Sequence, residues 1–183
     1  MELPNIFTPI RLFSHPEFLQ GLRDLAFQDP NWLYTNGLPD EEPLQGDIFP
    51  KAQLYFTGPD GKPVEYLGPA MLIANSCDAV PAQDPVAAMA PVVALEPFEH
   101  ERGAGDAETL RKNRFAARMY LPAHGRTPER YVDFRYTAAV STTRIREMFK
   151  AAGGRGGIIR LSESGWYLLT GKLAYSFARG GRS

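Results

Sequence analysis

The sequence predicts a mainly β protein with attached helices, an α+β chain built around a small barrel or half-barrel. Three observations predict it. Short apolar runs recur between turn signals along most of the chain. The 17 Gly and 16 Pro among 183 residues favour many turns and short elements over a helical bundle. An apolar face at helical spacing is extended only near the C-terminus. One domain is expected, with an N-terminal helix and loop extension over residues 1–45 and the barrel, its insertions and a C-terminal helix over residues 46–183. A chain of this length buries a core without disulfides or metals.

Each element follows from local chemistry. Ser14 can cap free backbone N–H groups while Glu17 reaches back, which starts a helix whose face carries Phe18, Leu22 and Leu25. The loop-rich stretch Asp29–Gly46 contains the turn signals Asn36-Gly37 and Pro39-Asp40. Asp47–Phe49 opens a strand, and Ala52–Phe56 is the next apolar run. Asp60-Gly61 turns the chain back into Val64–Leu67. Pro69–Ala74 is almost wholly apolar, as expected of a strand covered on both faces. Residues 80–91 read as a loop or short helix, and Val92–Leu95 as another covered strand. Residues 97–113 read as a loop with a short helix capped by Asp106. Phe115–Leu121 and Tyr131–Tyr136 are strands, the second with Val132, Phe134 and Tyr136 on one side and Asp133 and Arg135 on the other. Ser141 caps a helix through Lys150. Ile158-Ile159 is a short strand. Ser162 caps a closing helix with Trp166, Leu169, Leu173 and Phe177 on one face.

Charge is divided along the chain. Residues 1–100 carry 4 Lys/Arg against 14 Asp/Glu, and residues 101–183 carry 16 against 7. The cations are 15 Arg and only 5 Lys, and arginine's planar fork suits phosphates and carboxylates. One reading is a basic face for nucleic acid; the plainer one is that the two halves pair with each other. Arg118, Arg130 and Arg135 lie among Phe115, Tyr120, Tyr131 and Phe134, a mixture suited to single-stranded nucleic acid. Arg144 and Arg160 complete the candidate nucleic-acid contacts.

Several of these segments, in order, resemble the MazF/PemK-type toxins: "QGDIF" (residues 45–49), "GPAMLIANSCD" (68–78), "APVVALEP" (90–97), "YVDFRYTAAVSTTRIREM" (131–148) and "GIIRLSESGWYLLTGKLAYSF" (157–177). The resemblance implies an SH3-like barrel, a homodimer, endoribonuclease activity and an antitoxin-like protein partner. It also implies a catalytic arginine before the Pro of the second segment, where this chain has Gly68, and a Thr or Ser at the end of the next strand, where it has Glu96. Toxin-type catalysis is therefore in doubt from the sequence alone.

The remaining catalytic candidates are Cys77, Asp78, Glu96 and His100. A thiolate nucleophile needs a lowered pKa and usually a histidine partner, and His100 follows a strand expected beside that of Cys77. The plainer reading makes Cys77 a small apolar residue at a strand end. Asp47, Asp78 and Glu96 would hold Mg²⁺ only if three strand ends converged. One Cys and three scattered His leave no zinc spacing, so no cofactor or metal is expected. The single Cys suits a reducing compartment. The N-terminus lacks the pattern of a secretion signal, and no apolar run is long enough for a membrane span. A cytoplasmic protein with no membrane partner is expected, its candidate partners being RNA or DNA, an antitoxin-like protein and a second copy of itself. The alternatives to nucleic-acid binding are a non-catalytic protein-interaction module and a hydrolase using Cys77.

Overall fold

The computed structural model describes residues 17, 20–24, 30–35, 42–58, 60–75 and 85–180. Its centre is an antiparallel sheet with the strand path β2 (Ile48–Thr57), β3 (Pro63–Leu72), β4 (Val86–Ala94), β6 (Arg130–Asp133) and β5 (Arg118–Leu121). A further strand, β7 (Ala138–Ser141), pairs with β4. The first half of β4 pairs with β7 and the second half with β6, while β3 takes the opposite edge. A two-stranded ribbon of β1 (Tyr34–Thr35) and β8 (Arg160–Leu161) sits at one end. The α+β expectation is met. The sheet follows an open path among the described residues, with β2 and β7 near each other but unpaired.

Two strands are longer than the sequence suggests. Pro50 and Gly68-Pro69 read as breaks, yet β2 and β3 run through them. The register slips between Phe49 and Ala52, opposite Ala70 and Gly68, so Pro50 and Lys51 form a bulge. A bulge tolerates a proline because that residue is outside the ladder. Similarly, Val86–Pro91 belongs to β4 instead of a loop.

Both sheet faces are covered. Ile48, Met71, Ala90 and Val92 face the helix α4 (Glu163–Gly180) through Leu168, Leu169 and Leu173. Phe49, Ala70, Leu72 and Met89 face α3 (Thr142–Ala151) through Ile145, Met148 and Phe149. Alternate residues of "AMLI" thus enter different clusters, which accounts for its unbroken apolar character. Ser141 caps α3 by accepting from Arg144 N at 3.2 Å, and Ser162 caps α4 by accepting from Gly165 N at 3.0 Å, both as expected. Of the predicted α4 face, Leu169 and Leu173 are buried and Trp166 is half-buried; the Phe177 side chain lies outside the described residues.

The segment expected to be mostly loop forms a helical hairpin, α1 (Leu95–Arg102) and α2 (Ala104–Arg111), roofing Tyr120 and Tyr131 with Phe98 and Leu110. Pro97 sits in the first turn of α1, where its missing N–H costs nothing. Gly103, at φ 88°, makes the corner and replaces Asp106 as the residue before α2. Asp106 instead pairs with Arg102 at 3.3 Å. No helix of the described residues is long and apolar enough to cross a membrane. The predicted helix start at Ser14 lies outside the described residues; residues 20–24 are helical.

Lys172 of α4 is buried and donates to Asn113 O and Phe115 O, each at 2.5 Å. Burial, reinforced by the nearby Arg23 charge, pushes its ammonium down to about 7. An unfolded lysine titrates near ~10.4, so between these values the unfolded chain binds the extra proton and stability rises with pH. Urea unfolding free energies are expected to climb between about pH 7 and about pH 10 in the wild type, and to climb less in Lys172→Met. Equal slopes in both proteins would refute this account.

Candidate functional site

The start of β2 and the strand β8 are joined by a buried ion pair. Gly46, at φ +91°, turns the backbone so that Asp47 enters the interior. Asp47 accepts from Leu44 N at 2.8 Å. Arg160 of β8 meets the same carboxylate in a fork, Nε to Oδ1 at 2.7 Å and Nη2 to Oδ2 at 2.8 Å, and also donates to Glu42 O at 3.0 Å. Both side chains are within 3% of full burial. Ile48 bridges to Ile159 beside them. Arg160 is therefore corrected from a nucleic-acid contact to a structural clasp, because its guanidinium faces an internal carboxylate.

Two more predicted contacts are held internally. Arg118 donates to Asp133 at 3.2 Å and lies 4.9 Å from the centre of the Phe98 ring, with Phe115 and Tyr131 beyond. Arg135 clamps the same Asp133 with bonds of 2.8 and 2.6 Å. The predicted alternation placed Asp133 and Arg135 together on an outer side; Asp133 is in fact buried, since it anchors both arginines. Arg135 is about half exposed, yet its charge is matched.

Arg130 and Arg144 are different. A trough runs across the β2–β3 bulge to the α3 side of the sheet. Two hollows of about 410 and 440 Å³ share Lys51, Arg144 and Met148. A third, of about 300 Å³, meets the second at Pro50 and is lined by Pro69 and Arg130. Lys51 and Arg130 hold no carboxylate among the described residues. Among the described residues Arg144 pairs with the exposed Glu147, at 3.1 Å, a surface pair worth little. Lys51 was missed in the sequence because its placement depends on the bulge.

Gly68 lies in this trough. A Cβ there would sit 2.7 Å from the Tyr66 hydroxyl oxygen. That hydroxyl is 2.8 Å from Val92 O and 2.9 Å from Pro69 O, two carbonyls that share its proton. Burial holds the Tyr66 phenol above its ordinary pKa, so it stays neutral. The space that a side chain at Gly68 would enter is occupied by a fixed phenol.

The other catalytic candidates fall elsewhere. Glu96 and His100 are one turn apart on α1 and line an open groove of about 350 Å³ with Glu99, Pro128 and Glu129. Arg111 binds Glu99 at 2.8 Å and Glu129 at 3.0 and 3.1 Å. The Tyr120 hydroxyl donates to Glu129 in a very short bond. These bonds, that of Arg111 foremost, hold Glu129 below its ordinary pKa. It is an anchored anion, unsuited to proton transfer at neutral pH. Cys77 and Asp78 lie outside the described residues, so a Cys77–His100 pair does too. Asp47, weighed above with Asp78 and Glu96 as a magnesium ligand only if three strand ends converged, is spent on Arg160, while Glu96 is exposed on α1.

Comparison with known proteins adds no relative: no family model, no curated protein and no solved structure matches the chain.

Proposed function

We propose that the chain is a MazF/PemK-like module of SH3-like ancestry that binds nucleic acid, RNA foremost, along the Lys51–Arg144–Arg130 trough without toxin-type cleavage. The observation that carries this reading is that Lys51 and Arg130, with no carboxylate partner among the described residues, line hollows that meet at Pro50, beside Gly68-Pro69. Four other arginines of the basic half, Arg111, Arg118, Arg135 and Arg160, are instead paired with carboxylates within the fold. A chain of net charge −1 that leaves cations uncompensated in one trough has a local site for phosphates, whatever its overall field. Tyr66 explains the loss of cleavage: the trough keeps its cations but has no group at Gly68 to stabilise a phosphorane.

Anisotropy titration of a fluorescent single-stranded RNA tests this. Binding at low salt is expected, weakening as salt rises, with a slope of roughly −0.7 per neutralised phosphate. Lys51→Ala/Arg130→Ala is expected to flatten the slope by more than one unit and weaken binding of all sequences alike. No binding by the wild type at low salt, or unchanged binding by the double variant, refutes the reading. Incubation with the same RNA is expected to leave it intact.

A further inference from the structure

We propose that Arg23, Asn113, Arg114 and Lys172 form a second site, one for a phosphate-type oxyanion, sharing no residue with the trough. The geometry begins at Asn113, which closes α2 in a left-handed conformation (φ 53°) and is fully buried. Its Oδ1 accepts from Tyr120 N at 2.8 Å, which fixes the amide's orientation. The opposite amide nitrogen, Nδ2, is buried with no acceptor in the protein. A buried amide without an acceptor is costly and calls for an explanation.

Three cationic side chains lie near this amide in the fold or the chain. Lys172, 2% exposed, spends two of its three N–H protons on Asn113 O and Phe115 O and has no carboxylate partner among the described residues. Arg114 lies between those two carbonyl residues in the chain. Arg23 of the helical stretch 20–24 is close enough to repel both Lys172 and Arg114. Its Nε is also buried without an acceptor. The groups that favour the Arg23 charge are the Tyr175 phenol, foremost, and Asp24, which already accepts from Gln20 at 2.7 Å.

Lys172 and the idle Asn113 amide thus lie side by side, with Arg23 and Arg114 within electrostatic reach of one another. Partly buried like charges oppose folding unless compensated. Phosphate is the ligand class that matches: it presents several acceptor oxygens, takes a guanidinium fork and a point-charge ammonium together, and carries enough charge for more than one cation. A bound oxyanion would also return the Lys172 ammonium toward its ordinary, higher pKa.

The test uses the full chain with inorganic phosphate, and sodium acetate at matched ionic strength as comparison. Thermal unfolding is followed with increasing ion, and the Lys172 side-chain titration is followed by NMR. Phosphate is expected to raise the melting temperature saturably, as a ligand of the native state does, and to move the Lys172 titration upward. Arg23→Gln and the exposed Arg114→Ala are each expected to weaken the phosphate response about tenfold, the loss of one charge-assisted bond. Lys51→Ala/Arg130→Ala is expected to retain it. The proposal is overturned by an equal response to acetate, by no saturable response, or by a response that survives Arg23→Gln and Arg114→Ala but vanishes in the trough variant. RNA binding by the trough stands or falls separately.

Discussion

Asp47→Ala and Arg160→Ala are each expected to destabilise the protein by about 3–5 kcal/mol, since each leaves a buried charge without its partner. At roughly 2–4 °C per kcal/mol for a chain of this size, the melting temperature should fall by about 6–20 °C. The double variant Asp47→Leu/Arg160→Met removes both charges and fills the space, and is expected to recover most of the loss. The measurement is thermal or urea unfolding of the three variants. If Arg160→Ala unfolds like the wild type and instead loses RNA affinity, the clasp is misassigned. The clasp joins the start of β2 to β8 and to the backbone of Glu42, so its loss would loosen both ends of the frame together.

Gly68→Ala is the second large effect. The added methyl meets the Tyr66 hydroxyl at 2.7 Å, closer than any real contact, and must drive the phenol off Val92 O and Pro69 O. Overpacking and the broken hydrogen bond together are expected to cost about 2–3 kcal/mol. In a Tyr66→Ala background the same substitution has nothing to displace, and its cost is expected to vanish. The double-mutant cycle therefore gives a coupling on the order of the whole single-variant effect. An equal cost of Gly68→Ala in both backgrounds would show that the clash is not the reason for glycine here.

These two sites show what the sequence made legible. The apolar run after Gly68 was readable because covering both faces of a strand removes alternation, and Ser141 and Ser162 were readable because capping is local chemistry. The importance of Gly68 was visible as a departure from the toxin pattern, but the phenol that occupies its place was not, since Tyr66 is simply an aromatic residue in a strand. Arg160 and Asp47 are separated by most of the chain, so no local rule pairs them. Arg118 and Arg135 looked like an outward basic face because strand alternation says nothing about a buried carboxylate between them. Lys51 escaped notice because bulges are set by the partner strand. The α1–α2 hairpin was read as mostly loop because Pro97 and Gly103 are breakers in a helix interior, and only their positions at a first turn and a corner make them compatible with helix.

The strand β4 gives the sheet an order of opening. It is hydrogen-bonded on both edges, to β3 on one and to β7 and then β6 on the other. Met89 lies between Leu72 of β3 and Ala138 of β7, and Val92 pairs with Val132 of β6, so the loss of any one neighbour leaves β4 held by the others. Slow hydrogen exchange should therefore mark β4 as the last segment to release its protons. The β2–β3 hairpin tip, exposed on both arms, should exchange first. The trough is floored by the hairpin's bulge yet reaches to β6 at Arg130. A nucleic acid lying in it would bridge an early-opening segment to a late-opening one, and RNA binding should be read most clearly as slowed exchange around residues 50–53 and 67–69.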